Sequence, residues 1–405
     1  MEAGIEFIAS GSITSPRGFH AGATYAGIKK ESKGILDLGI LFSEVPCVAT
    51  AVFTTNRVKA APILWCQELL KSGRARAVVA NSGCANACTG EQGLVDTEEI
   101  AVFVAKGIGL STEDVLVAST GVIGERLPME VMRAGIEQVV LSPDGGHELA
   151  RAIMTTDTIP KEIAITVKSG ESQFTIGGVA KGSGMIHPNL ATMLCFLSTD
   201  AAVEADFLKS ALQKAVDISF NLISVDGDTS TNDMVLIMAN GIAGNEPVSS
   251  DSQPARAFQQ ALEQMCIYLA KCIARDGEGA TRLIEVTVSG APSVAQARLA
   301  ARTVVSSPLV KTAVHGSDPN WGRIVAAVGR SGAEVVESKI DLDIGQVCLV
   351  KAGKPLPFDR PGLVRILSGD EVHVSLNLNI GSGEATAWGC DLSEEYVAIN
   401  SQYTS

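Results

Sequence analysis

The sequence predicts a layered α/β (α+β) fold, and three observations carry that expectation. Short apolar runs bounded by turn residues alternate with amphipathic helical stretches along almost the whole length. From Val372 to Ile380, Val372, Val374, Leu376, Leu378 and Ile380 alternate strictly with His373, Ser375, Asn377 and Asn379, the period of a half-buried strand. Hydrophobic residues make up 46% of the 405, enough for a large core, and 40 glycines supply many turns. The length fits two domains or one large one. Composition marks no boundary, and there is no repeat, low-complexity tract or Pro/Ser linker. Strand order and connectivity stay open.

In chain order, Arg76 to Ala80 is a buried strand ending in the turn-rich Asn81-Ser82-Gly83. Asp96 is the expected N-cap of a helix with Glu98 and Glu99 in its first turn, where they complement the helix dipole. Ile100, Phe103, Val104 and Ile108 share one face of that helix, and Gly109 is its stop. Val115 to Ala118 forms a strand running straight into Ser119-Thr120-Gly121. Further helices are expected around 128–140, 203–219, 253–275 and 293–305.

The 32 basic residues against 45 acidic ones leave a net charge of −13, which argues against nucleic acid and against an anionic membrane surface. Aromatic residues are only 4%, too few for stacking platforms. The first residues lack the basic-then-apolar pattern of a secretion signal, and no stretch reaches the ~18–20 apolar residues of a spanning helix. Nine scattered cysteines suit reduced thiols in a cytoplasm better than a disulfide framework. Cys84 and Cys88 are spaced too widely for a CxxC and have no second pair, so small buried residues in a turn are expected there and no metal site.

Other motifs fail on inspection. In Gly177 to Ser183, Lys181 precedes its glycine, so the segment is no P-loop. Asp226-Gly227-Asp228 opens like a calcium loop, but Thr231 stands where glycine and Ile237 where glutamate would be needed. The expectation for 226–233 is a solvated Asp/Thr-rich turn. The five histidines are dispersed, and neither a GxSxG elbow nor an HExxH is present.

One stretch stands apart. Lys181-Gly182-Ser183-Gly184-Met185-Ile186 leads through Pro188-Asn189 to Ala191-Thr192 and directly into the apolar Met193-Leu194-Cys195-Phe196-Leu197. The plain reading is a glycine loop entering a buried strand with Thr192 as its polar first residue. The functional reading is self-cleavage of the Ala191–Thr192 bond. A threonine hydroxyl is a poor nucleophile without an adjacent base, and an N-terminal threonine carries one in its own α-amino group.

The stretch from Lys181 to Leu194 resembles the cleavage segment of the ornithine acetyltransferases, the glutamate N-acetyltransferases of the arginine pathway. The likeness continues in Ala118 to Gly124, Ile153 to Thr158, Ala274 to Thr281, Asp318 to Arg323 and Asn400 to Ser405, in the family's order. The resemblance implies an αββα-type sandwich with an additional smaller lobe. It implies a self-cleaved chain, 1–191 and 192–405, with Ala191 and Thr192 at the cut, assembled as an α2β2 heterotetramer. Thr192 would be the nucleophile, with Thr120 and Gly121 as the oxyanion-hole pair. Thr155, Lys181, Thr192, Glu278, Asn400 and Ser405 would contact substrate. The implied reaction moves acetyl from N2-acetylornithine to glutamate by a ping-pong route with no cofactor, acetyl-CoA being a second donor in some members. The alternatives are a related N-terminal-nucleophile amidohydrolase or aminopeptidase, in which water resolves the acyl-enzyme, and an unprocessed binding protein.

Overall fold

The computed structural model describes residues 4–29, 34–187 and 193–402. Among the described residues the strands are β1 (Gly4–Phe7), β2 (Phe19–Thr24), β3 (Leu38–Phe53), β4 (Arg74–Cys84), β5 (Val115–Val122), β6 (Lys161–Ser169), β7 (Ser172–Lys181), β8 (Leu194–Thr199), β9 (Ile223–Ser224), β10 (Met234–Ala239), β11 (Leu283–Ala291), β12 (Asp341–Ile344), β13 (Val347–Lys351), β14 (Lys354–Pro355), β15 (Glu371–Asn377) and β16 (Gly383–Cys390). The helices are α1 (Ala61–Leu69), α2 (Gly90–Ile108), α3 (Met129–Gln138), α4 (Gly146–Ala152), α5 (Ala205–Asp217), α6 (Ala255–Arg275), α7 (Val294–Val305), α8 (Pro308–His315), α9 (Trp321–Gly329), α10 (Arg360–Leu367) and α11 (Glu394–Gln402).

The strands form two sheets. A nine-stranded sheet runs β1-β6-β7-β8-β10-β3-β4-β5 with β2 added to β3, and a seven-stranded one runs β14-β13-β12-β15-β11-β16-β9. The mixed, layered α/β architecture is the one expected. Its alternation is visible in β8 and β10: Cys195, Leu197, Val235 and Ile237 join the core built on α5 and α6. Phe196, Leu236 and Met238, on the opposite face, pack with Ile63 of α1 and Leu149 of α4. Helix α6 lies against β6 and β7 of the first sheet and β16 of the second, so one continuous core joins the two.

Register brings the ends of distant strands side by side. Leu194, first residue of β8, pairs with Lys181 at the end of β7 and with Met234 at the start of β10. β4 and β5 run parallel, joined across α2, with Ser82 opposite Thr120 and Gly83 opposite Gly121.

Three expectations need correction. Helix α2 begins at Gly90, so Asp96 is not its N-cap but a buried residue of its second turn, accepting from Gln92 Nε2 at 2.8 Å. The helix runs through Gly93 because a Cβ there would collide with the Thr89 hydroxyl, 2.0 Å away; close packing outweighs glycine's poor helix propensity. Gly109 does cap the C-terminus at φ +72°. Cys84 is buried as expected, but Cys88 is exposed, at φ +58°. The turn at 226–233 is solvated only in its first half: Gly227 and Asp228 are exposed, whereas Ser230, Thr231, Asn232 and Asp233 are all buried.

Candidate active site

Thr120, Gly121, Thr155, Lys181, Glu278 and Asn400 line one pocket of about 140 Å³. Every described residue that the sequence assigned to the site is therefore in it. Ala191, Thr192 and Ser405 lie outside the described residues.

The end of β5 supplies the first wall. Gly121 sits at φ +131°, and a Cβ on it would come within 2.3 Å of the Gly83 carbonyl carbon. Only glycine fits there, because the parallel strands β4 and β5 pinch together at this point. The end of β7 supplies the cation. Lys181 is 3% exposed, and its Nζ donates to Thr155 Oγ1 at 2.7 Å and to Thr120 Oγ1 at 3.3 Å. Because the ammonium occupies a lone pair on Thr120 Oγ1, the Thr120 hydroxyl proton is left to point elsewhere.

Glu278 follows α6 on the turn Asp276 to Gly279. Its amide donates to Ser183 O at 3.1 Å, and its carboxylate packs on Gly184, where a Cβ would be 2.3 Å from Oε1. Asn400 of α11 donates from Nδ2 to Glu278 Oε2 at 2.8 Å. The pocket thus holds a buried ammonium and a largely buried carboxylate, a pairing suited to a zwitterionic small molecule.

Sequence reasoning missed the buried charges behind this wall. Asp157 Oδ1 accepts from Lys161 Nζ at 2.6 Å and from the Gly182 amide at 2.7 Å; its Oδ2 accepts from the Thr155 amide at 3.0 Å and lies 4.0 Å from Lys181 Nζ. Lys161 also bonds Asp276 Oδ2 at 2.5 Å. Burial alone would raise the Asp157 carboxyl, but the Lys181 and Lys161 ammonium groups outweigh it and bring it down to about 2. Burial in turn pushes Lys181 down, against the pull of Asp157. Asp157 and Asp276 stand inside runs that resemble the family, yet nothing in their spacing says that one lysine joins them.

Asn232 ties the approach to β10 onto the β4–β5 wall, donating from Nδ2 to Ala85 O at 2.6 Å and Ser119 O at 2.8 Å. Next to it, Asp233 Oδ1 accepts from the Met193 amide at 2.9 Å.

Comparison with known proteins gives one consistent result. Residues 20–405 match the model of the ArgJ family. The arginine biosynthesis bifunctional protein ArgJ of Dehalococcoides mccartyi is 53% identical over 405 residues, all of both chains. That of Bacillus subtilis is 48% identical over 395 residues, 97% of each. The crystal structure of the arginine biosynthesis bifunctional protein from Bacillus halodurans is 47% identical with a TM-score of 0.50; it covers 51% of this chain and 97% of its own.

Proposed function

The chain belongs to the ArgJ family, and from that premise we propose that it is a self-processing acetyltransferase moving acetyl from N2-acetylornithine to glutamate. The observation that carries the reading is the convergence of six residues, from five separate segments of the chain, on one pocket. Scission between Ala191 and Thr192 consumes one water and frees the Thr192 α-amine. The half-length coverage of the Bacillus halodurans chain supports a chain made in two pieces. We further propose an α2β2 assembly of pieces 1–191 and 192–405, and the nine-stranded sheet, to which both pieces contribute strands, supports its αβ half.

In the transfer, Thr192 Oγ attacks the acetyl carbonyl while its α-amine takes the hydroxyl proton. The Thr120 hydroxyl, oriented by Lys181, and the Gly121 N–H donate to the oxyanion. The C–N bond then breaks, the proton passes to the departing amine, and ornithine leaves an acetyl ester on Thr192. Glutamate's amine attacks that ester by the reverse sequence. Lys181 holds an α-carboxylate and Glu278 the δ-ammonium of ornithine, with Thr155, Asn400 and Ser405 beside them. The substrate brings the acyl group, so no separate cofactor enters these steps. The relatives' bifunctional name supports a second activity, acetyl-CoA as donor to glutamate. Nine free thiols suit a reducing cytoplasm.

The test is incubation with acetylornithine with and without glutamate. Acetyl should appear on glutamate; acetate release at the same rate without glutamate would instead identify a hydrolase.

A further inference from the structure

The loop from Asp226 to Asp233 holds the chain on both sides of residues 188–192. On the upstream side, Asp226 accepts from the Met185 amide at 2.5 Å and the Ile186 amide at 2.9 Å. Thr229 Oγ1 donates to His187 O at 2.8 Å, and Thr229 bridges Ile186 as an isolated β pair. On the downstream side, Asp233 Oδ1 accepts from the Met193 amide, and the next residue, Met234, donates its amide to Met193 O at 3.1 Å. Residues 226–234 thus bond the chain at 185–187 and at 193. Met185, inside the upstream grip, sits at φ +55°, a conformation that a side chain other than glycine adopts only when its surroundings impose it.

The loop is itself anchored. Asn232 bonds the β4–β5 wall, and Thr54 Oγ1 donates to Ser230 O at 2.7 Å. Asp233 is 2% exposed, with the Thr54 and Ser230 side chains beside its carboxyl. A carboxyl buried this deeply is costly, and it is held here by its hydrogen bond to the Met193 amide.

We infer that the 226–233 loop is the positioning clamp for self-cleavage: Asp226 and Thr229 grip the entry side of the scissile segment, and Asp233 fixes the peptide that follows Thr192. The inference rests on the proposed scission at 191/192. An intramolecular attack gains most when the reacting groups are held near contact, and one anchored loop bonds the described residues on both sides of the proposed scission. Asp233 is a positioning residue here, acting through the Met193 amide. Burial pushes its carboxyl well up, consistent with a site built to accept hydrogen bonds and not to display charge.

The experiment follows cleavage itself, independent of transferase activity. Purified full-length chain is sampled over time, and the 42.1 kDa precursor is quantified against its two pieces by intact-mass spectrometry. Asp233→Ala, which removes the acceptor, should slow cleavage by tenfold or more. Asp233→Asn, which keeps Oδ1 as an acceptor, should restore most of the rate. Thr229→Val tests the upstream grip and should also slow cleavage. Asp200→Ala is the control: Asp200 is equally buried and accepts from the Thr175 amide at 2.7 Å, but at the far end of β8. Melting temperatures are taken on the same samples. Wild-type cleavage rates in folded Asp233→Ala and Thr229→Val overturn the clamp. So does equal slowing in Asp200→Ala at matched loss of Tm. If Asp233→Ala does not fold, Asp233→Asn and Thr229→Val decide. A wild-type chain that stays whole overturns the scission itself; a wild type that cuts alongside indifferent variants overturns only the clamp.

Discussion

At the pocket, single atoms decide the outcome. Thr120→Val keeps the shape and deletes the O–H, so kcat with acetylornithine should fall about 10²–10³-fold with Tm preserved. An unchanged kcat in a folded, processed variant would remove Thr120 from the oxyanion site. Asp157 makes a prediction about stability. Its carboxyl is held at about 2, below the value near 3.9 that it has unfolded, so its stabilisation is fully present above pH 4 and is lost as pH falls from about 4 to 2. Urea unfolding across that window should show a loss on the order of 2 kcal/mol from this group. Asp157→Asn should flatten that part of the profile and cost about 3–5 kcal/mol at neutral pH, since Lys181 and Lys161 would be left buried with weaker partners. A wild-type profile in that variant would show that Asp157 does not carry the dependence.

Among the elements, α11 buries no residue, yet it delivers Asn400 to the pocket. It is held at its start, where Ser393 Oγ donates to Gly279 O at 2.6 Å and His315 Nε2 lies 3.2 Å from Glu394 Oε2. Removing residues 400–405 should therefore leave Tm almost unchanged while KM for acetylornithine rises roughly tenfold or more, the worth of a hydrogen bond to a charged group. Self-cleavage should be unaffected; steady-state kinetics and a gel on one preparation check both. Elements whose pattern is local could be read from sequence. The strand from Val115 to Ala118 in β5, the alternation in β15 and the cap of α2 at Gly109 all follow from neighbours in the chain. The start of α2 escapes such a reading because Gly93 is chosen by Thr89 and Asn86 across a turn, not by propensity. The pocket residues were legible only through resemblance to a family. The Lys161–Asp276 link and the burial of 230–233 were not legible at all, because their partners lie up to 115 and 147 residues away.

Over the whole molecule, the nine-stranded sheet alternates between the two halves of the chain. β1, β6 and β7 come from before residue 191, β8 and β10 from after it, and β3, β4 and β5 from before it again. A cut at 191/192 would leave the later piece with two strands in the middle of the earlier piece's sheet. The pieces should co-elute in gel filtration, separate only in denaturant and melt in a single transition; a separable pair would contradict the strand order. The consequence reaches into the protein's history. Before the cut, folding is a search by one tethered molecule, and its rate does not depend on how much protein is present. After the cut, strands of separate chains must find their places inside one another's sheet, so recovery from urea should slow on dilution. An uncut Thr192→Ala chain should regain its fold with first-order kinetics at any concentration, whereas the mature enzyme should not. Maturation would then act as a ratchet, with the assembly made once and unfolding close to final.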